Sequence, residues 1–147
     1  MNKSTVALSW TCCLCTVRQV VYMLPEGPSI HGVTSLADEM FLLRYKEHDQ
    51  IEVYDGITYR LQRCLTVPNW RGFGDMTSCE HYLCVHVSDH IVECIHRLDS
   101  QGKAVTQWPV NDKPHGLSVN RAHNLLVTCR YVHKIKEFST HGSSIQN

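Results

Sequence analysis

The sequence predicts an all-β chain built from repeated four-stranded antiparallel units, and three observations carry that prediction. IHGVTSL at residues 30–36 returns as PHGLSVN at residues 114–120, with His-Gly followed by aliphatic, hydroxyl and aliphatic positions. A degraded copy lies between them: Gly74 to Ser78 aligns with His31 to Ser35 and with His115 to Val119, at offsets of 43 and 41 residues. Each copy is followed in register by short runs rich in Val, Ile, Leu, Thr and aromatics, separated by polar or glycine-bearing turns, which is strand chemistry. No amphipathic stretch of helical period competes; TSLADEMFLLRYKEH reads as helix only in isolation, and the repeat overrules it. A period of about 42 residues with four strands per period is the arithmetic of a β-propeller, whose blades bury their faces against one another.

The elements follow in order. Residues 1–26 are expected to form a divergent N-terminal segment. It opens on MNKSTVALSWTCCLCTV, which is like the apolar region of a signal peptide but has no clear small-x-small cleavage site and is too short to span a bilayer. QVVYML, residues 19–24, reads as a strand, the outer strand of a preceding blade, ended by the turn signals of PEGP. Residues 27–147 are expected to form about three blades. The first runs VTSL, MFLLRY, QIEVYD and YRLQRCLTV; the second runs MTSC, YLCVHV, ECIHRLD and AVTQWPV; the third runs LSVN, NLLVTC and KIKEFST and lacks its outer strand. Ile51, Ile95 and Ile135 open the third strands, and Tyr54, Leu98 and Phe138 share a later place in them. Gly32 and Gly116 suit the crowded start of an innermost strand.

Composition sets bounds. An apolar content of 43% excludes a disordered chain, and a formal charge of zero with pI near 7.1 gives no global field for nucleic acid or an anionic membrane. The eight cysteines do not make a zinc pattern, because CCLC lacks the paired CxxC knuckles such a site needs. Ordinary buried thiols are the expectation. Cys79 and Cys84 are placed to face each other across a hairpin, where an oxidising compartment would permit a disulfide.

The second unit, VSDHIVECIHRLDSQGKAV, resembles the NHL repeat through Val87, Asp89, Ile95, Leu98, Asp99 and Gly102. The third resembles it again through Ile135, Phe138 and Gly142. His90, Ile91 and Val92 depart from the usual glycine and asparagine, and the first and third units lack the turn aspartate. The resemblance implies a six-bladed ring of which roughly half is present. It also implies an interaction role, with protein or RNA partners.

Loops joining second to third strands, and loops joining blades, emerge on one face of such a meander. That face collects Tyr45, Lys46, His48, Trp70, Arg71, Phe73, His90, Arg130, Tyr131 and His133 as candidate partner-binding residues, since aromatics and arginine dominate interaction hot spots. Trp70 and Phe73 have a rival reading as plugs between blades. His31, Asp75 and His115 stand at inner-strand starts, where imidazoles and a carboxylate could hold a divalent metal. Resemblance to peptidyl-amidoglycolate lyases, NHL-like propellers that bind zinc by histidines in this region, implies the same possibility, although inner-strand His and Asp also serve as plain hydrogen-bond partners. No GxSxG, HExxH or phosphate loop is present.

The expectation is therefore a module that binds a protein partner through its loop face, is not an enzyme and needs no cofactor. RNA binding stands second, supported by Arg121, Arg130, Lys134 and Lys136 against Glu137 alone, and a metal-dependent enzyme third. No membrane role is expected, and a cytoplasmic location is favoured over secretion. A homodimer is expected to close the open ring, because Phe138 and Leu126 should face water and KIKEFST should present an unpaired edge.

Overall fold

In the computed structural model, the described residues are 9–12, 15–18, 24, 27, 29–44, 50–71 and 74–145. All the regular structure among them is β. Strands β1 (Ser9–Cys12) and β2 (Cys15–Arg18) pair antiparallel, with Cys12 opposite Cys15. QVVYML lies outside the described residues except for its last position. Tyr45, Lys46, His48 and Phe73 also lie outside them.

The remaining strands form three antiparallel sheets in chain order. Blade 1 comprises β3 (Ile30–Leu36), β4 (Glu39–Arg44), β5 (Gln50–Asp55) and β6 (Leu61–Thr66). Blade 2 comprises β7 (Met76–Cys79), β8 (Cys84–Asp89), β9 (Cys94–Asp99) and β10 (Ala104–Pro109). Blade 3 has three strands, β11 (Pro114–Val119), β12 (Leu125–Cys129) and β13 (Lys134–Phe138). Each sheet runs neighbour to neighbour with no crossover, as a meander does, and the segment read as a lone helix covers the end of β3, the turn at 37–38 and β4 where it is described. β8 starts two residues later than the hydrophobic run suggests. Residues 80–83 make the turn instead, with Leu83 at positive φ, and Tyr82 leaves the sheet for an edge contact with the His81 and His123 rings, which stack at 4.2 Å.

Two apolar layers lie between the blades. The first packs Phe41, Leu43, Ile51, Val53 and Leu65 of blade 1 against Met76, Val85, Val87 and Leu98 of blade 2. The second packs Ile95 and Trp108 of blade 2 against Leu125, Val127, Cys129 and Phe138 of blade 3. Period-2 alternation places each set on one face of its sheet. Full burial of such a side chain contributes about 1.5–3 kcal/mol, so these layers are what hold one blade to the next.

Aspartate and asparagine side chains build the turns. Asp55 Oδ1 accepts from the amides of Ile57 and Thr58, Asp99 Oδ1 from Gln101 and Lys103, and Asn120 Oδ1 from Ala122 and Asn124.

Two expectations change. Phe138 is buried against Trp108, with ring centroids 6.4 Å apart, and Leu126 is half-buried. The β13 edge is partly covered by the chain's own return: the Ile145 amide donates to Glu137 O at 2.9 Å, and Phe138 bridges Ser144. Cys79 and Cys84 do stand opposite each other in register, but as buried free thiols.

Candidate functional site

The loop end of the blades is fastened by hydrogen bonds between the linkers and the ends and turns of the second and third strands. The Arg71 amide donates to Asp89 Oδ2 at 2.5 Å, the Val110 amide to Glu93 O at 2.9 Å, and the Arg130 amide to Lys113 O at 3.0 Å. The same aspartate shapes the turn at 90–93, because its Oδ1 accepts from Ile91 and Val92.

At the inner rim of this end lies a cavity of about 720 Å3, whose lining includes His31, Asp75, His90, His115 and Arg130. Its floor is set by a close approach between chain segments. A Cβ on Gly74 would lie 1.7 Å from Ser88 O, so only glycine fits there. The Asp75 amide donates to Ser88 Oγ at 2.8 Å, and that hydroxyl donates to His115 O at 3.0 Å, tying blade 2 to blade 3. Asp75 completes the tie: Oδ1 accepts from the Met76 amide at 2.8 Å and Oδ2 from the Leu117 amide at 3.0 Å. Among the described residues no three His, Cys, Asp or Glu side chains come together as a metal set. The candidate set of His31, Asp75 and His115 is corrected accordingly: all three border one cavity, but the carboxylate is engaged by main-chain amides.

Of the predicted loop-face residues, His90, Arg130 and Tyr131 are brought together. Tyr131 is 62% exposed, and its ring lies 6.1 Å from the His90 ring. Arg130 Cζ is 5.5 Å from the ring centroid and Lys113 Nζ is 5.4 Å from it. Burial lowers the His90 pKa first, and the positive charges of Lys113 and Arg130 and the neighbouring His115 lower it further, against a raising contribution from the Pro114 backbone. Arg71 and His133 are exposed on the same end. Trp70 is corrected as a contact residue. Its indole is 3% exposed in the first apolar layer and donates to Ser88 O at 3.2 Å, so it plugs the seam.

Lys113 was not legible as a site residue in the sequence; its place immediately before the inner-strand Pro-His-Gly was the available signal. The basic C-terminal stretch is also less of a patch than it reads. Arg121 sits in the β11–β12 turn at the opposite end of the blade from Arg130, and Lys136 is paired with Asp112 at 2.6 Å.

Blade 2 also holds a buried polar set that strand periodicity could have shown, since Cys94 and His96 are two residues apart on β9. Cys94 Sγ lies 3.3 Å from His96 Nε2, and Gln107 Nε2 donates to the same sulfur at 3.1 Å. His96 Nε2 is 3.8 Å from Asp89 Oδ2. Burial pushes the imidazole down, but the nearby Asp89 carboxylate and the hydrogen bond with Cys94 outweigh that and raise its pKa to about 9. For Asp89, burial pushes upward, while the nearby His96 and the amides of Arg71, Val92 and Ile91 hold the carboxyl below its ordinary value.

These blades are those of a β-propeller, the class to which the similar solved structures belong. A streptogramin B lyase structure superposes with a TM-score of 0.69 at 16% identity, covering 90% of this chain and 44% of that one. The virginiamycin B lyase of Staphylococcus aureus gives 0.69 at 16% identity, covering 89% and 44%. BamB of Moraxella catarrhalis gives 0.56 at 16% identity, covering 66% and 28%. No family model and no curated protein matches the sequence, so the likeness establishes the propeller fold and not the NHL family. The chain spans less than half the length of the two lyases. These neighbours also correct the expectation that the chain is not an enzyme: enzymes are built on this fold, so the fold gives no ground for excluding catalysis.

Proposed function

We propose that the chain is a binding propeller unit that engages a protein partner through its loop end, around the central cavity. The observation that carries this is the rim: Tyr131, 62% exposed, stands with Lys113 and Arg130 against its ring, beside a cavity bordered by His31, His90 and His115. An aromatic ring flanked by cations offers buried area, a polar end and charge to an acidic peptide segment. Arg71 and His133 widen the same face. Positive charge on this end also fits RNA as the second reading, and the division of Arg121 from Arg130 between the two ends is what ranks it second.

A peptide array of graded charge tests the proposal. Acidic peptides are expected to bind, and Tyr131→Ala and Arg130→Ala to weaken them about tenfold or more while the strand signal in circular dichroism persists. Binding of single-stranded RNA with a steep salt dependence, and of no peptide, would overturn it.

The proposal includes a second copy against the side of blade 3 where Ile135 is exposed. Light scattering that finds only monomer at micromolar concentration overturns that part. It also keeps the cytoplasmic location expected from the sequence.

A further inference from the structure

We infer that the central cavity takes a phosphate group carried on a side chain of the protein partner proposed above, with Arg130, His115, His90 and His31 supplying the donors; the inference rests on that reading of the loop end. The four side chains come from four places in the fold. His31 is on β3, His90 in the β8–β9 turn, His115 on β11 and Arg130 in the β12–β13 turn, and all border one cavity of about 720 Å3. Donors approaching a common space from several elements suit a tetrahedral oxyanion, whose acceptors point several ways. A planar carboxylate is met better by one guanidinium from one side.

Charge agrees with this geometry. Asp75 is the carboxylate in the lining, and its oxygens accept the amides of Met76 and Leu117. Against it stand Arg130 in the lining and Lys113 beside Tyr131 at the rim. His90 Nδ1 is buried with no hydrogen-bond partner, an imidazole nitrogen that could take a proton from solvent and donate it in a hydrogen bond to an oxyanion. Burial is the first cause of the lowered His90 pKa, and the cations that add to it mark the cavity as positive; a group carrying about −1.5 to −2 charges at neutral pH would offset their part and raise the pKa. Phosphate binding should therefore take up a proton and tighten as the pH falls from 8 to 6. The cavity is far larger than a bare phosphate, leaving room for the residue that bears it, and Tyr131 is placed to cover the flanking chain.

The test uses the full chain with a phosphoserine peptide library and its unphosphorylated twin, read by fluorescence anisotropy, with inorganic phosphate as competitor. Phosphorylated peptides should bind at least tenfold more tightly than their twins. Arg130→Ala should remove that preference, His115→Ala should reduce it, and titration of the His90 ring by NMR should show its pKa rising on binding. Equal binding of both libraries, with Arg130→Ala without effect on the difference, overturns the inference and leaves the loop-end proposal standing through Tyr131. Binding of neither library overturns the loop-end proposal itself. Inorganic phosphate that binds as tightly as the best phosphopeptide overturns the claim that the group arrives on a protein side chain.

Discussion

Ile95 and Ile135 occupy the same place in the repeat, the second residue of a third strand, yet Ile95 is 0% exposed and Ile135 is 70% exposed. Ile51, at the equivalent place in blade 1, is 0% exposed. Each of these side chains points to the following blade. Ile51 and Ile95 meet one, and Ile135 does not. A repeat position thus has no fixed burial of its own. The neighbour decides whether the apolar side chain stabilises the fold or only faces solvent, as expected where each unit contacts only the next.

The faces of blade 2 differ in the same way for charge. His96 belongs to the face with Asp89 and is held protonated, whereas His86 is wholly buried near Trp108, their rings 5.9 Å apart, with no well-formed hydrogen bond to either nitrogen. Burial lowers the His86 pKa to about 4; the backbone of Thr140 raises it slightly, while Arg97 and His141 lower it further. One blade therefore carries a charged histidine and a neutral one, two strands of the same sheet having sent them to different surroundings.

The comparison can be broken first at the core. Ile95→Ala should cost about 2–5 kcal/mol and Trp70→Ala about 3–5 kcal/mol by denaturant unfolding. A cost below about 1 kcal/mol for Ile95→Ala would show that the blade 2 and blade 3 layer is not a packed core.

The acid limb comes next. His86 has its folded pKa depressed from 6.5 to about 4, so the unfolded chain binds the proton first and stability is lost as the pH falls from about 6.5 towards 4. At one pKa unit per 1.36 kcal/mol, the loss is on the order of 3 kcal/mol. His86→Phe should flatten this limb in a series of melts from pH 7 to pH 4, and an unchanged slope would refute the assignment.

His96 has the opposite sign. Its folded pKa is raised from 6.5 to about 9, so its contribution is fully present below about 6.5 and is lost as the pH climbs through 9. His96→Gln should remove pH dependence on the alkaline side and, by taking a partner from Asp89, raise the pKa of that carboxyl.

The smallest effect belongs to the open face. Ile135→Ala should change stability by about 0.5 kcal/mol or less if that face meets only water. A larger cost that grows with protein concentration would instead reveal a second copy covering it.

The strand pattern and the repeat were legible in the sequence because period-2 alternation and turn residues such as Asp99 and Asn120 act locally. The aligned isoleucines fell where the repeat put them for the same reason. Phe138 was misplaced because its burial depends on Trp108, thirty residues away in chain order, and Trp70 because a loop position says nothing about which way an indole turns. The candidate site was half legible. His31, Asp75, His90, His115 and Arg130 could be named from the repeat and its loops, since inner-strand starts and second-to-third-strand turns converge in any meander of this kind. What only the tertiary structure decided was their division of labour. Asp75 is taken by the amides of Met76 and Leu117, Lys113 joins Arg130 at Tyr131, and His86 and His96 are driven to opposite protonation states. Those outcomes rest on contacts between blades and between strands and on the local dielectric, and neither is written in any stretch of residues shorter than a blade.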